Sequence, residues 1–237
     1  MILYVNGDSH AAAAEAVNPH AWAADDSMYW ALGQRPHPDN ERVSFGCELA
    51  NHLNAVLVCD AQAGCSNDRI IRTTRRWLND CNNLDDVFVV LQWSTWEREE
   101  WFYQGEYYQV GASGTDSVPV PLQEQYRHYI VGLDWTEKTK TAHDQIWRFH
   151  QELQDQNIPH VMFNGNTDFS KSQNRMNWSK QYLGPYDPKM TFNQVLRDQG
   201  FATVRPESWH FGADAHCFWA KYLLQYMSDH QLLESSK

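Results

Sequence analysis

Apolar residues along the chain fall into short unbroken runs separated by longer stretches in which they recur every three or four positions. The runs are residues 2–6, 55–59, 87–91 and 159–163, and VFVVL at 87–91 is the plainest of them. Each is of strand length and has no polar alternation, which describes a strand buried on both faces. Between them lie stretches with helical spacing. Residues 41–54 place Val43, Cys47, Ala50 and Leu53 on one side, and residues 67–81 do the same with Ile70, Ile71, Thr74, Trp77, Leu78 and Cys81, with Asn67 as the expected N-cap. Residues 139–156 carry Ala142, Ile146, Phe149 and Leu153 in register, residues 213–233 close the chain as a helix, and residues 11–17 read as a helix start.

Buried strands alternating with helices predict an α/β fold, a three-layer flavodoxin-like sandwich around a central parallel sheet. The whole chain, 1–237, reads as one domain, since no internal repeat or low-complexity linker divides it. In such sheets the functional crevice lies beyond the carboxyl ends of the strands. Here those ends are residues 6–9, 60–66, 92–95 and 164–166, all polar.

One stretch breaks the rhythm. Residues 94–138 lie between a strand and a helix, where a connection of about two to six residues is usual. This insertion holds Trp96, Trp101, Phe102, Tyr103, Tyr107, Tyr108, Tyr126, Tyr129 and Trp135, with a hairpin expected to turn at Gln104-Gly105. Its aromatic residues can pack on one another and on the sheet edge, or wall the crevice and meet a sugar ring or a planar acyl group. Residues 167–189 are a second irregular stretch.

Composition narrows the function. Nineteen Lys and Arg against 30 Asp and Glu give a net charge of −11, which disfavours a nucleic-acid partner. No apolar run approaches the roughly 20 residues of a membrane span, so no membrane partner is expected. The start MILYVNGDSH shows neither the basic nor the apolar region of a secretory signal, and the expected setting is cytoplasmic. Cys47, Cys59, Cys65, Cys81 and Cys217 are dispersed without C-x-x-C spacing and read as reduced thiols. His10, His210 and His216 lack ligand spacing too, so neither a metal nor another cofactor is expected. Oligomeric state is not legible in the sequence.

Three segments carry candidate chemistry. Gly7-Asp8-Ser9-His10 follows the first strand and exposes a serine on a strand-to-helix turn. Ala63-Gly64-Cys65-Ser66-Asn67 follows the second and offers a glycine N–H. Glu207-Ser208-Trp209-His210 precedes the last helix, with a carboxylate three residues before an imidazole that it can orient. Taken singly, each also reads as an ordinary turn or cap. Their order along the chain resembles the SGNH (GDSL-type) hydrolase family. The divergent details, GDSH, QWST at 92–95 and YLGPYDP at 182–188, resemble members found in tailed-phage genomes.

The resemblance implies that Ser9 is the nucleophile, His210 the base and Glu207 the acid, where the family usually has Asp. It implies oxyanion donors at Ser9 and Gly64. The family's asparagine after the third strand is absent, and Ser94, Thr95 or the Trp93 indole stands in its place. Trp93, Thr95, Trp96 and Trp209 are the expected substrate contacts. The implied activity is hydrolysis of a small-molecule or glycan ester, with the acyl group carried on a carbohydrate as one form. The alternatives are a catalytically degenerate binding protein on the same fold and a virion-associated component.

Overall fold

The structure is a computed structural model that describes residues 1–18, 36–112 and 118–233. Its strands are β1 (Ile2–Asn6), β2 (Val56–Cys59), β3 (Val87–Trp93), β4 (Glu99–Tyr103), β5 (Glu106–Val110), β6 (His160–Asn164) and β7 (Tyr182–Leu183). Its α-helices are α1 (Pro38–Glu41), α2 (Phe45–Leu53), α3 (Asn67–Asp80), α4 (Gln123–Val131), α5 (Trp135–Asp155), α6 (Phe192–Asp198) and α7 (Ala213–Asp229). Five strands form one parallel sheet in the order β2-β1-β3-β6-β7, while β4 and β5 pair antiparallel as a separate hairpin. This is the flavodoxin-like order, and its direction reverses between β1 and β3, so a crevice opens beyond the carboxyl ends of those two strands.

The period of two along each strand divides the core. Leu3, Val5, Phe88, Val90, Val161 and Phe163 face one side, where they pack with α2, α6 and α7. Tyr4, Val87, Val89, Leu91 and Met162 face the other and pack with α3 and α5. Both faces are therefore covered, as the unbroken apolar runs require.

Several local expectations are revised. Residues 11–17 form no helix but a series of turns, with Ala13 at φ 50° and Glu15 at φ 64°. Ser66, not Asn67, caps α3, its hydroxyl accepting from Arg69 N–H at 3.3 Å. Asn67 is thereby free to clamp the backbone of Ser94, accepting from its N–H at 2.9 Å and donating to its carbonyl at 3.3 Å. The second irregular stretch contributes β7 at the sheet edge.

The insertion turns at Gln104-Gly105 as expected, both residues having positive φ, as a two-residue type I′ hairpin loop requires. It builds a small core of its own from Val110, Val118 and Tyr126, against which Trp101, Leu122 and Tyr129 pack. Arg72 of α3 holds it by a bidentate pair to Glu100, both contacts at 2.6 Å. Most of its aromatic side chains thus pack within it or against the body, whereas Tyr107 and Tyr108 line the crevice.

Among the histidines buried inside the protein are His10 at 3% exposure, His150 at 0%, His160 at 2% and His216 at 1%. Burial pushes their pKa values down to about 4, about 3, about 4 and about 3. In the unfolded chain they titrate near 6.5, so as pH falls below 6.5 the unfolded state takes up protons that the folded state refuses. Stability is therefore full above about pH 6.5 and is lost on acidification, by up to about 1.4 kcal/mol per pH unit for each histidine. Urea unfolding at pH 7.5, 6 and 5 is expected to show a steeply falling midpoint before the carboxylates titrate. A flat midpoint over that range would contradict neutral burial of the four rings.

Candidate active site

The loop that carries Ser9 is set by close packing at the end of β1. A Cβ on Gly7 would sit 2.7 Å from both Ala11 Cβ and Gln92 Oε1, so only glycine lets the chain pass Gln92. The next peptide uses that contact, Asp8 N–H donating to Gln92 Oε1 at 2.9 Å. The Asp8 carboxylate then accepts from His10 N–H at 3.0 Å and closes a turn around Ser9. Ser9 is 7% exposed and lines a cleft of about 1440 Å³ at the sheet's switch point. Its hydroxyl takes no hydrogen-bond partner among the described residues.

His210 lines the same cleft. A bridge between Thr203 and Phe211, with Val204 N–H donating to the His210 carbonyl at 2.9 Å, closes the loop that carries it. Its Nδ1 lies 2.7 Å from Glu15 Oε2. A carboxylate only accepts, so Nδ1 carries the proton and Nε2 keeps its lone pair. Glu15 also accepts from Ser208 Oγ at 2.8 Å and is ion-paired with Arg205. Burial holds the His210 pKa below the ordinary imidazole range; Asp8 opposes this, and Arg98 and Arg205 add to it.

This arrangement corrects the sequence-based assignment of the acid. Glu207 is exposed on the cleft rim, and the carboxylate bonded to His210 belongs to Glu15. Glu15 has left-handed backbone, which a non-glycine residue holds at a cost of order 1–3 kcal/mol and which clusters at functional sites. No spacing rule could connect Glu15 to a histidine 195 positions away.

The expected oxyanion donors divide. Gly64, at φ 76°, lines the cleft with open space where a Cβ would stand. Among the described residues the N–H groups of Ser9 and Gly64 take no partner, while those of Asp8, His10 and Cys65 are all bonded. Both are therefore available to a ligand oxygen. Ser94 is not. It is fully buried, and its hydroxyl donates to Asp8 Oδ2 at 3.0 Å. A hydroxyl has one proton, and here it is committed.

The expected substrate contacts divide in the same way. Trp93 is fully buried, facing Phe149 in the core, because β3 runs two residues past the predicted strand and takes Trp93 with it. Trp96 is 4% exposed and stacks on Phe169. Neither reaches the cleft. Thr95 does, although its hydroxyl donates to Glu97 at 2.8 Å, and Trp209 lines the rim at 62% exposure. Asn166, just past β6, also lines the cleft, with its amide against His10. Sequence reasoning placed Asn166 only at a strand end and gave it no role. His10 and His216 are buried, as packing residues are, and the His10 ring meets His210 edge-on at 5.7 Å between centroids.

Solved structures with a similar course of chain include a protein assigned to the G-D-S-L lipolytic family from Desulfitobacterium hafniense DCB-2. It is 10% identical with a TM-score of 0.46, over 95% of this chain and 98% of that one. The hydrolase LAE5 from the metagenome of Lake Arreo is 13% identical with a TM-score of 0.44, over 96% and 94%. The acetyl xylan esterase Est2A from Butyrivibrio proteoclasticus is 14% identical with a TM-score of 0.42, over 96% of this chain and 63% of that one. No curated protein matches the sequence. The matching family model takes in Gly64, Ser94 and Arg98 but stops short of Ser9, Glu15 and His210. Since that model spans residues 33–155, over half of the chain, the protein belongs to DUF6071, a family of unknown function.

Proposed function

We propose that the chain is a serine ester hydrolase of the GDSL type, acting through Ser9, His210 and Glu15. The observation that carries this reading is the Glu15–His210 pair. A carboxylate fixes Nδ1 at 2.7 Å and leaves Nε2 basic, in the same cleft as Ser9 and two unbonded N–H groups.

The chemistry follows in two halves. Ser9 Oγ attacks the ester carbonyl carbon while its proton passes to His210 Nε2. The carbonyl oxygen takes the electron pair and is held by the Ser9 and Gly64 N–H groups. Collapse expels the alcohol, which takes the proton from His210 and leaves an acyl group on Ser9. Water, deprotonated by His210, then attacks the acyl carbon; collapse breaks the bond to Ser9 Oγ, which takes the proton back from His210 as the carboxylic acid leaves. Glu15 stabilises the imidazolium at each stage and stays ionised, with Arg205 and Ser208 on its oxygens.

The cleft suits an acylated sugar. Trp209, Tyr107 and Tyr108 offer flat apolar faces, and Gln62, Gln123 and Asn166 offer amides for hydroxyl groups. No cofactor enters the scheme.

A fluorophosphonate probe tests the reading, because phosphonylation needs an activated serine but no knowledge of the acyl group. Peptide mapping is expected to place the label on Ser9, with hydrolysis of short p-nitrophenyl esters lost in step. An unlabelled Ser9 across pH 5–9 would remove the hydrolase reading in favour of a binding protein on the same fold.

A further inference from the structure

The carboxylate next to the nucleophile has no part in the acyl-transfer scheme, yet it takes bonds from His10, Ser94 and Arg98, as many as Glu15 takes. Asp8 is 1% exposed. Its Oδ1 accepts from His10 N–H at 3.0 Å. Its Oδ2 accepts from the Ser94 hydroxyl at 3.0 Å and from Arg98 Nη1 at 3.0 Å. Arg98 Nη1 also donates to Ser94 Oγ at 2.9 Å. With Asp8 N–H bonded to Gln92, the peptide groups on both sides of Ser9 are fixed, and the Ser9 N–H between them points nowhere else in the protein.

Arg98 differs in origin from the other partners. Gln92 lies on β3 and Ser94 directly follows that strand, but Arg98 lies further into the insertion, directly before β4. Its guanidinium is the one full positive charge bonded to Asp8. A carboxylate at this depth is unfavourable unless it is paired. Burial alone would push the Asp8 pKa up, but the Arg98 charge, with the bonds from His10 N–H and Ser94, holds it below the ordinary carboxylate range. Without Arg98 the carboxylate would draw in water and loosen its grip on the His10 amide.

We infer that Arg98 is a positioning residue: acting through Asp8, it holds the Ser9 amide and hydroxyl in the geometry that acyl transfer requires. The inference rests on the hydrolase reading above. It makes the insertion part of the active site, because the side chain directly before the hairpin completes the nucleophile loop.

A second consequence separates this role from mere packing. Around His210 stand Glu15 on Nδ1, Arg205 behind Glu15, His10 edge-on, and Asp8 with Arg98 across the loop. Arg98 disfavours the imidazolium, so removing its charge raises the pKa of the base, and the acid limb of kcat/KM moves to higher pH.

The test compares Arg98→Gln and Arg98→Lys with the unmodified chain in kcat, KM, pH profile and fluorophosphonate labelling rate, with circular dichroism as the check of folding. Arg98→Gln is expected to lower kcat about 10²-fold, the scale of a small misplacement of reacting groups, with KM within about twofold. Its acid limb shifts upward. Arg98→Lys keeps the charge within reach of Asp8, and the limb is expected to return to its original place with kcat largely restored. If Arg98→Gln does not fold, Ser94→Ala, which removes the other Oδ2 partner, is expected to lower kcat about tenfold at unchanged KM. A folded Arg98→Gln chain with the original kcat and acid limb, or a folded Ser94→Ala chain with the original kcat, overturns the inference and leaves the hydrolase reading standing. Failure of the unmodified chain to label at Ser9 overturns both.

Discussion

Glu15→Gln is expected to lower kcat on a short ester by about 10⁴-fold, the scale of loss when the acid of a Ser-His-Asp triad is amidated. The reason is the tautomer. Glu15 accepts from Nδ1 and leaves Nε2 free to take the serine proton. A glutamine amide can donate to Nδ1, which moves the ring proton to Nε2 and blocks the base. It also removes the negative charge that stabilises the imidazolium. Glu207→Gln, made beside it, is expected to change kcat by less than about twofold, as for an exposed group without a structural partner in the site. The comparison decides between the carboxylate bonded to His210 Nδ1 and one exposed on the cleft rim. Loss of turnover with Glu207→Gln and not with Glu15→Gln would return the acid to the position first expected from sequence. Burst and steady-state kinetics on p-nitrophenyl acetate measure both.

Ser9→Ala is expected to cost about 10⁶-fold in kcat, as loss of the nucleophile does in other serine hydrolases. The fold should not suffer. The Ser9 hydroxyl takes no partner among the described residues, so its removal leaves no buried group unsatisfied. Stability in urea is accordingly expected to stay within about 0.5 kcal/mol of the unmodified chain. Activity lost at constant stability marks a chemical role. Turnover that survives Ser9→Ala would mean that another group makes the acyl bond, and the triad would be abandoned.

The two substitutions also show how unevenly the site was written into the sequence. The place of Ser9 at the crevice was legible because that signal is local, a strand ending in a glycine with a serine at the turn, while its implied role came from the family resemblance. Gly64 was legible for the same reason, at the end of the next strand. Glu15 was not. It lies on a stretch that reads as a helix start, and alanines 11–14 favour a helix by propensity. Tertiary contacts override that preference, turning the chain through left-handed positions at Ala13 and Glu15 until the carboxylate meets His210, Ser208 and Arg205. The nearby Glu207 had the better spacing and the wrong place, since spacing along a loop does not say where its side chain points.

Tryptophan was misleading in a related way. Residues 92–95 were read as a strand end open to the crevice, but β3 continues through Trp93 and buries it on the face shared with Phe149. A shift of two residues in a strand's end exchanges a crevice wall for a core position. Periodicity marks the middle of an element better than its end, because the middle is set by many apolar contacts and the end by a few hydrogen bonds.

What the sequence determined by itself is the sheet and its layers, the position of the crevice, and the placing of a serine and a histidine along it. Short unbroken apolar runs bounded by polar turns suit buried strands, helical spacing between them suits the helices that cover them, and a parallel sheet puts the carboxyl ends of its strands at one end. What only the tertiary structure decided is which acid joins them, that Ser94 serves Asp8 and not the ligand, and that Arg98 from the insertion closes the network. Those choices turn on contacts between residues 86 to 195 positions apart. They follow from how left-handed turns and strand ends aim individual side chains, and neither composition nor periodicity encodes that direction.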